Sequence, residues 1–231
     1  MGGQACVFYG AAQVSKDIDL VLLADTANYE RLLTAMRALD ARRIAVPPFD
    51  IPALERGHAV HFRCSAAGVE ELRVDVMVRL RDLPPFDVLW ERRTSFADDT
   101  GMTFDLLCIP DLVQAKKTQR SRDWPVIDLL VNIHYRENAA VPRPDWIEFW
   151  LLECRSPELL GELIRRFPTE AHTLSPRRPL LAAAQFLDRD ALAAALDAEV
   201  RVEMAKDRTY WEPLKRELEA MRLAEARGNG P

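Results

Sequence analysis

The stretch Ser15-Lys16-Asp17-Ile18-Asp19-Leu20-Val21-Leu22-Leu23 decides how the rest of the chain is to be read. Polar and apolar residues alternate and then give way to an apolar run, which predicts a strand entering a core. Side chains two apart on a strand share a face, so Asp17 and Asp19 project side by side. Two neighbouring carboxylates repel, and each raises the other's pKa unless a cation sits between them. The pair therefore points to a divalent metal, most naturally Mg²⁺, which favours carboxylate oxygen and completes its shell with water and phosphate. Upstream, Gly2-Gly3 precedes a short predicted helix over residues 4–9. A glycine pair at a helix start lets backbone N–H groups approach a phosphate closely.

Composition sets the outer limits. The chain has 231 residues, 48% hydrophobic and 29% charged, which is ordinary for a globular protein. That length suits one domain of about 130 residues plus a smaller one. No apolar stretch approaches the roughly 20 residues that cross a bilayer, and the N-terminus lacks the basic-then-apolar pattern of a secretory signal. Cys6, Cys64, Cys108 and Cys154 are scattered without paired metal-ligand spacing. They read as reduced, mostly buried thiols, which predicts a cytoplasmic protein with no membrane partner. A net charge of −5 argues against a globally basic nucleic-acid binder while allowing a local basic patch.

Working outward from the aspartate strand, Asp25 or Thr26 can cap a helix to about residue 42, with Tyr29, Leu32, Leu33, Met36 and Leu39 on one face. Pro47-Pro48 and Pro52 predict a loop. Residues 58–64 and 71–78 read as an antiparallel hairpin across Ser65-Ala66-Ala67-Gly68, and the second strand sets Asp75 between apolar neighbours. A further hairpin pairs residues 93–97 with 103–108, and a helix runs from Pro110 through residue 120. Past Pro142 and Pro144 strands disappear. Helices are predicted over 145–154, over 156–167 with Ser156 as N-cap, over 180–200 and over 201–227, with Pro213 starting or kinking the last. The fold class is α+β: a small mixed β-sheet flanked by helices over residues 1–138, then an all-helical C-terminal region over 139–231.

Gly2-Gly3, then Asp17-Ile18-Asp19 after a short helix, then Asp75 in a later apolar strand, resembles the nucleotidyltransferase superfamily with the DNA polymerase β-like fold. Within it the chain is most similar to the bacterial branch that includes AbiEii-type toxins, through Ile109-Pro110-Asp111-Leu112-Val113-Gln114-Ala115-Lys116-Lys117 and Arg120-Ser121-Arg122-Asp123-Trp124. The resemblance covers roughly residues 2–135 and implies a nucleotidyltransferase-like sheet. It also implies transfer of a nucleotidyl group from a nucleoside triphosphate to an acceptor hydroxyl, with pyrophosphate leaving. Asp17 and Asp19 would hold the metal that bridges the triphosphate. Asp75 would complete a second Mg²⁺ site and help deprotonate the acceptor, in keeping with two-metal phosphoryl chemistry. Gly2 and Gly3 would cradle phosphates, with Ser15 and Lys16 beside them. Members of the family carry an apolar strand before the glycine pair and an arginine a few residues before the aspartates. Here the glycine pair follows Met1, and Gln13 stands at the arginine's place.

Several features have a plainer reading beside the functional one. Lys116 and Arg120 stand four apart on the predicted helix, hence on one face, either as a cationic wall for triphosphate or RNA or as a solvated surface. Asp17 and Asp19 are otherwise a strand-end pair capping loop amides, and Asp75 a structural carboxylate. Asp123 can pair locally with Arg120 or Arg122. His58 and His61, three apart on a strand, face opposite sides and do not make a zinc site. His134 and His172 are packing or surface residues, and Trp124, Trp146 and Trp150 are core anchors. Three functional classes follow: an Mg²⁺-dependent nucleotidyltransferase, an inactive module of the same ancestry that binds nucleotide or protein, and a toxin that modifies tRNA and is neutralised by an antitoxin partner. The acceptor (tRNA, protein or small molecule) is not readable, because specificity lives in the acceptor pocket.

Overall fold

The computed structural model describes residues 1–228. The first elements in order are α1 (Gly2–Phe8), β1 (Asp17–Val21), α2 (Thr26–Ala38), β2 (Arg42–Arg43), α3 (Ile51–Glu55), β3 (Val60–Arg63) and β4 (Arg73–Met77). They are followed by α4 (Phe86–Glu91), β5 (Thr94–Ala97), β6 (Thr103–Leu106) and α5 (Ile109–Lys116). Helices alone follow: α6 (Trp124–Asn138), α7 (Pro144–Glu153), α8 (Pro157–Arg166), α9 (Pro168–Leu174), α10 (Leu180–Ala183) and α11 (Arg189–Ala226). The chain is thus α+β with a small mixed sheet and a helical C-terminal region.

Two compact units result, divided elsewhere than at residue 138. One comprises Met1–Ala115 with the segment from Thr209 onward, and the other is Lys116–Arg208. The last helix returns to the first unit: His58 Nε2 lies 2.8 Å from the Glu217 carboxylate.

In the first unit, four strands form a sheet in the order β1-β4-β3-β2, with β1 parallel to β4 and the other pairs antiparallel. One face is apolar. Ile18, Leu20, Phe62, Val74 and Val76 pack against Tyr29, Leu32 and Met36 of α2 and Leu54 of α3. The spacing of the α2 residues brings them to one side of the helix, and Asp25 caps it by accepting the Asn28 N–H at 2.8 Å. The Pro-rich segment predicted as loop contains α3, started by Asp50, which accepts the Ala53 N–H at 2.7 Å. The second hairpin forms as predicted but is a separate two-stranded ribbon, β5-β6. It supports α1: Phe8 meets Phe104 and Phe96 with ring centroids 5.1 and 5.6 Å apart, and the Tyr9 hydroxyl donates to the Leu107 carbonyl at 2.9 Å.

In the second unit, Ser156 caps α8 by accepting the Leu159 N–H at 3.2 Å, as its sequence position predicts. Trp150 is fully buried, and its indole N–H donates to Nδ1 of buried His134 at 2.9 Å. Two predicted helix boundaries are corrected. The alanine-rich segment breaks after Ala183 and restarts at Arg189, and α11 then runs for 38 residues with no division at 200/201 and with Pro213 inside it.

Candidate functional site

The polar face of the sheet gathers the aspartates. Strand register places Asp19 beside Asp75, and Asp75 beside His61, so these three form a row across β1, β4 and β3. The next row is Asp17, Arg73 and Arg63. Alternation puts both rows on the side opposite the apolar core. Asp17 and Asp19 are half-buried, and Asp75 is buried.

The glycine pair lies directly against this face. Gly2 has φ +70°, and a Cβ added there would stand 1.8 Å from Asp19 Oδ2. A Cβ on Gly3 would stand 2.3 Å from Ser15 Oγ. Both are contacts that only a residue without a side chain can make. Ser15 Oγ donates to an Asp17 carboxylate oxygen at 3.1 Å, and the Met1 ammonium donates to the Asp19 carbonyl at 2.8 Å. Lys16 is exposed at the start of β1.

Asp75 is not open to a ligand in the way its sequence position implies. Arg73 Nε donates to Asp75 Oδ1 at 2.6 Å, and His61 Nδ1 lies 2.7 Å from the same oxygen and 3.0 Å from an Arg73 Nη. Burial alone would raise the Asp75 pKa, but hydrogen bonds from His61 and Arg73 outweigh it and hold the carboxyl below its usual range. A carboxylate in that state is a weak proton acceptor. Arg73 is in turn raised, first by its bond to Asp75 and then by the fields of Asp75, Asp17 and Asp19. Among the described residues, no group of three or more His, Cys, Asp or Glu side chains is arranged to hold a metal ion. Asp75 is held by Arg73 and His61, which leaves Asp17 and Asp19 as the candidate ligands for a cation.

Sequence reasoning missed Arg73, although Leu72-Arg73-Val74-Asp75 carries the signal: residues two apart on a strand, opposite in charge, on one face. Lys116 and Arg120 do not share a helix face, because α5 ends at Lys116. Both instead reach Asp123, Lys116 Nζ at 3.5 Å and Arg120 Nε at 2.9 Å, and the Thr118 hydroxyl donates to it at 2.5 Å. Their charges are thus spent within the second unit on a buried carboxylate. His58 and His61 do go to different partners, Glu217 and Asp75. None of the four cysteines is in a disulfide, and burial pushes Cys108 and Cys154 up to about 12, far from the reactive range.

Two cavities are relevant. One of about 500 Å³ borders β1 from Leu20, one residue beyond Asp19, and is lined by Phe86 and Trp90 of α4 and by Arg93. Phe86 and Trp90 stack with centroids 5.7 Å apart, and the Arg93 guanidinium lies 3.9 Å over the Trp90 ring. A larger one, about 680 Å³, lies in the helical unit beside Lys117, Glu153, Arg155, Arg178 and Glu199. Those charges are joined to each other, Lys117 to Glu153 at 2.6 Å and Arg178 to Glu199 at 2.7 Å, with Arg155 within 3.6 Å of both acids. Size favours the second cavity, but the aspartate strand borders the first.

No protein-family model matches the chain, and no curated protein is significantly similar to it.

Proposed function

We propose that this chain is a divalent-metal-dependent nucleotidyltransferase whose site is the polar face of β1 and β4. The observation that carries the reading is the approach of Gly2 to Asp19, which only glycine permits. That contact ties the glycine pair to the aspartate pair in one place, and an ordinary strand-end aspartate has no need of it. Asp17 and Asp19 would hold the cation, Mg²⁺ by its preference for carboxylate oxygen. Bound there, it would supply charge neutralisation at the phosphoryl oxygens. The cavity next to β1, walled by Phe86, Trp90 and Arg93, would take the nucleoside. In the reaction the acceptor oxygen bonds to the α-phosphorus, the bond from that phosphorus to pyrophosphate breaks, and the acceptor proton is released to water.

The test is incubation with each α-labelled nucleoside triphosphate, Mg²⁺ and cell extract. Labelled product and pyrophosphate are expected from the wild type and not from Asp17→Ala or Asp19→Ala, with circular dichroism unchanged. Transfer that survives in both variants would sink the assignment. The second reading, a module that binds nucleotide without turning it over, is favoured by the Arg73–Asp75 pair, which occupies the third carboxylate. It predicts nucleotide binding lost in Asp19→Ala with no pyrophosphate released by any variant.

A further inference from the structure

The cavity beside β1 is bordered by backbone as well as by side chains. β1 is an edge strand of the four-stranded sheet, so only one of its sides is paired. In a parallel pair every second residue turns its N–H and C=O to the neighbouring strand, and the others turn outward. The Leu22 N–H donates to the Met77 carbonyl at 2.9 Å, so the even-numbered residues face β4 and the odd-numbered ones face away. Two outward carbonyls are taken. That of Asp19 accepts from the Met1 ammonium at 2.8 Å, and that of Leu23 accepts from the Asp25 N–H at 3.0 Å and the Asn28 side-chain amide at 3.2 Å. The Val21 N–H, the Val21 C=O and the Leu23 N–H have no hydrogen-bond partner among the described residues. Both residues line the cavity of about 500 Å³.

Resting on the nucleotidyltransferase reading, we propose that this strand edge reads the base of the nucleotide, and that the base is a pyrimidine with an imide edge, uracil or thymine. Along the strand the three open groups run donor, acceptor, donor, so a matching base presents acceptor, donor, acceptor. The imide edge does so with O2, N3–H and O4. Cytosine sets its N3 acceptor against the Val21 carbonyl whichever way it is turned. Guanine always brings a donor to one of the two N–H groups. The Watson–Crick edge of adenine carries one donor and one acceptor, and leaves one N–H bare. A mispaired or bare group enclosed with a ligand costs far more than a made hydrogen bond gains, which is how such an edge discriminates. The three groups span two residues of strand, about 6.5 Å, a length that one ring edge meets with hydrogen bonds converging on it. Elsewhere around the cavity the polar side chains are engaged: Arg31 with Asn28 at 2.6 Å, Arg93 with Asp105 at 2.9 Å, and Asp25 with the Asn28 N–H at 2.8 Å. The pairing of β1 with β4 fixes the open groups in place before any ligand arrives.

Equilibrium dialysis of the full chain against labelled UTP, dTTP, CTP, GTP and ATP, each with Mg²⁺, tests the edge without requiring turnover. UTP or dTTP is expected to bind at least about tenfold tighter than the other three, and the pair tells uracil from thymine. UTP methylated at N3, which lacks the central donor, is expected to bind no better than CTP. Leu23→Pro removes the last N–H of the row at a position where the chain is extended. It should erase the preference, because every base carries a donor beside an acceptor and so suits the two groups of Val21. Equal binding of all five triphosphates, a preference for another base, or full affinity for the N3-methylated UTP overturns the edge and leaves the nucleotidyltransferase reading standing. So does a preference unchanged in Leu23→Pro, and the methylated nucleotide decides alone if that variant does not fold. A preference for UTP or dTTP with no transfer from any α-label supports the edge and overturns the transferase reading. Binding of no triphosphate at all overturns both.

Discussion

The two units each contain a cluster of charged side chains, and the clusters differ in how they are closed. In the helical unit Lys117, Arg155 and Arg178 interleave with Glu153 and Glu199, and Arg178 also donates to the carbonyls of Leu151 at 2.7 Å and Cys154 at 2.9 Å. Nearly every polar atom is satisfied from within; the buried Arg155 Nε is the exception there. On the sheet face Asp17, Asp19 and Asp75 lie in two rows with Arg73, and the Met1 ammonium sits on the Asp19 carbonyl beside them. Closed networks hold a fold together, whereas an unbalanced cluster costs stability through repulsion and gains its balance from something that binds. Under the function proposed above, that difference, and not cavity size, marks the face that takes a ligand.

The comparison can be broken from either side, and the largest effect is expected in the helical unit. Arg178→Met leaves Glu199 with Arg155 alone and strands two buried carbonyls, and should cost about 3–5 kcal/mol in urea unfolding. A cost under about 1 kcal/mol would show that the network is not closed in the sense used here. At the sheet, Gly2→Ala drives a methyl group into Asp19 at a residue with positive φ, and should cost about 1–3 kcal/mol. Its sharper signature is loss of Mn²⁺ binding; an alanine variant that binds normally would remove the close approach from the argument.

Acid should act unequally on the two regions. Burial pushes His134 below its usual 6.5, with Asp145 opposing, and its neutral Nδ1 accepts the Trp150 N–H. The unfolded chain therefore takes up a proton first. Stability is present above about 6.5 and declines as pH falls below it, a slope that His134→Gln should abolish. Asp75 is held below 3.8, so the stability it contributes is full above that value and is lost progressively as pH falls from there through its own depressed pKa. Smaller still, Ser156→Ala removes the cap of α8 and should cost about 1 kcal/mol. The smallest effect is Asp17→Asn, within about 0.5 kcal/mol of wild type in stability and of either sign, because it relieves repulsion while weakening the Ser15 bond. A large destabilisation there would mean that Asp17 is structural.

Much of this was legible in the chain, and the parts that were not share a cause. Alternation around Asp17 and Asp75 fixes both strands and the face their carboxylates share, and Asp25 and Ser156 announce helix starts through local capping chemistry. The pairing of β1 with β4 is a contact across more than fifty residues and has no local signature, so Arg73 could not be matched to Asp17. Lys116 and Arg120 were misplaced because nothing in their spacing marks the end of α5, whereas the demand of buried Asp123 for partners draws the chain around it. Pro213 allows either a helix start or a kink, and spacing alone does not choose between them; it sits inside α11.

The division of the sheet into one oily and one acidic face has a consequence for how the chain can change over time. Side chains on β1 alternate, so removing or adding a single residue next to Asp17 exchanges the two faces. Two carboxylates would then be driven into the space now held by Ile18 and Leu20, at a cost that no compact state of this size could absorb. An indel there would be a lesion of folding before it was one of chemistry. Any lineage that keeps the fold through such events keeps the spacing of the aspartates with it, whether or not the activity is still under selection.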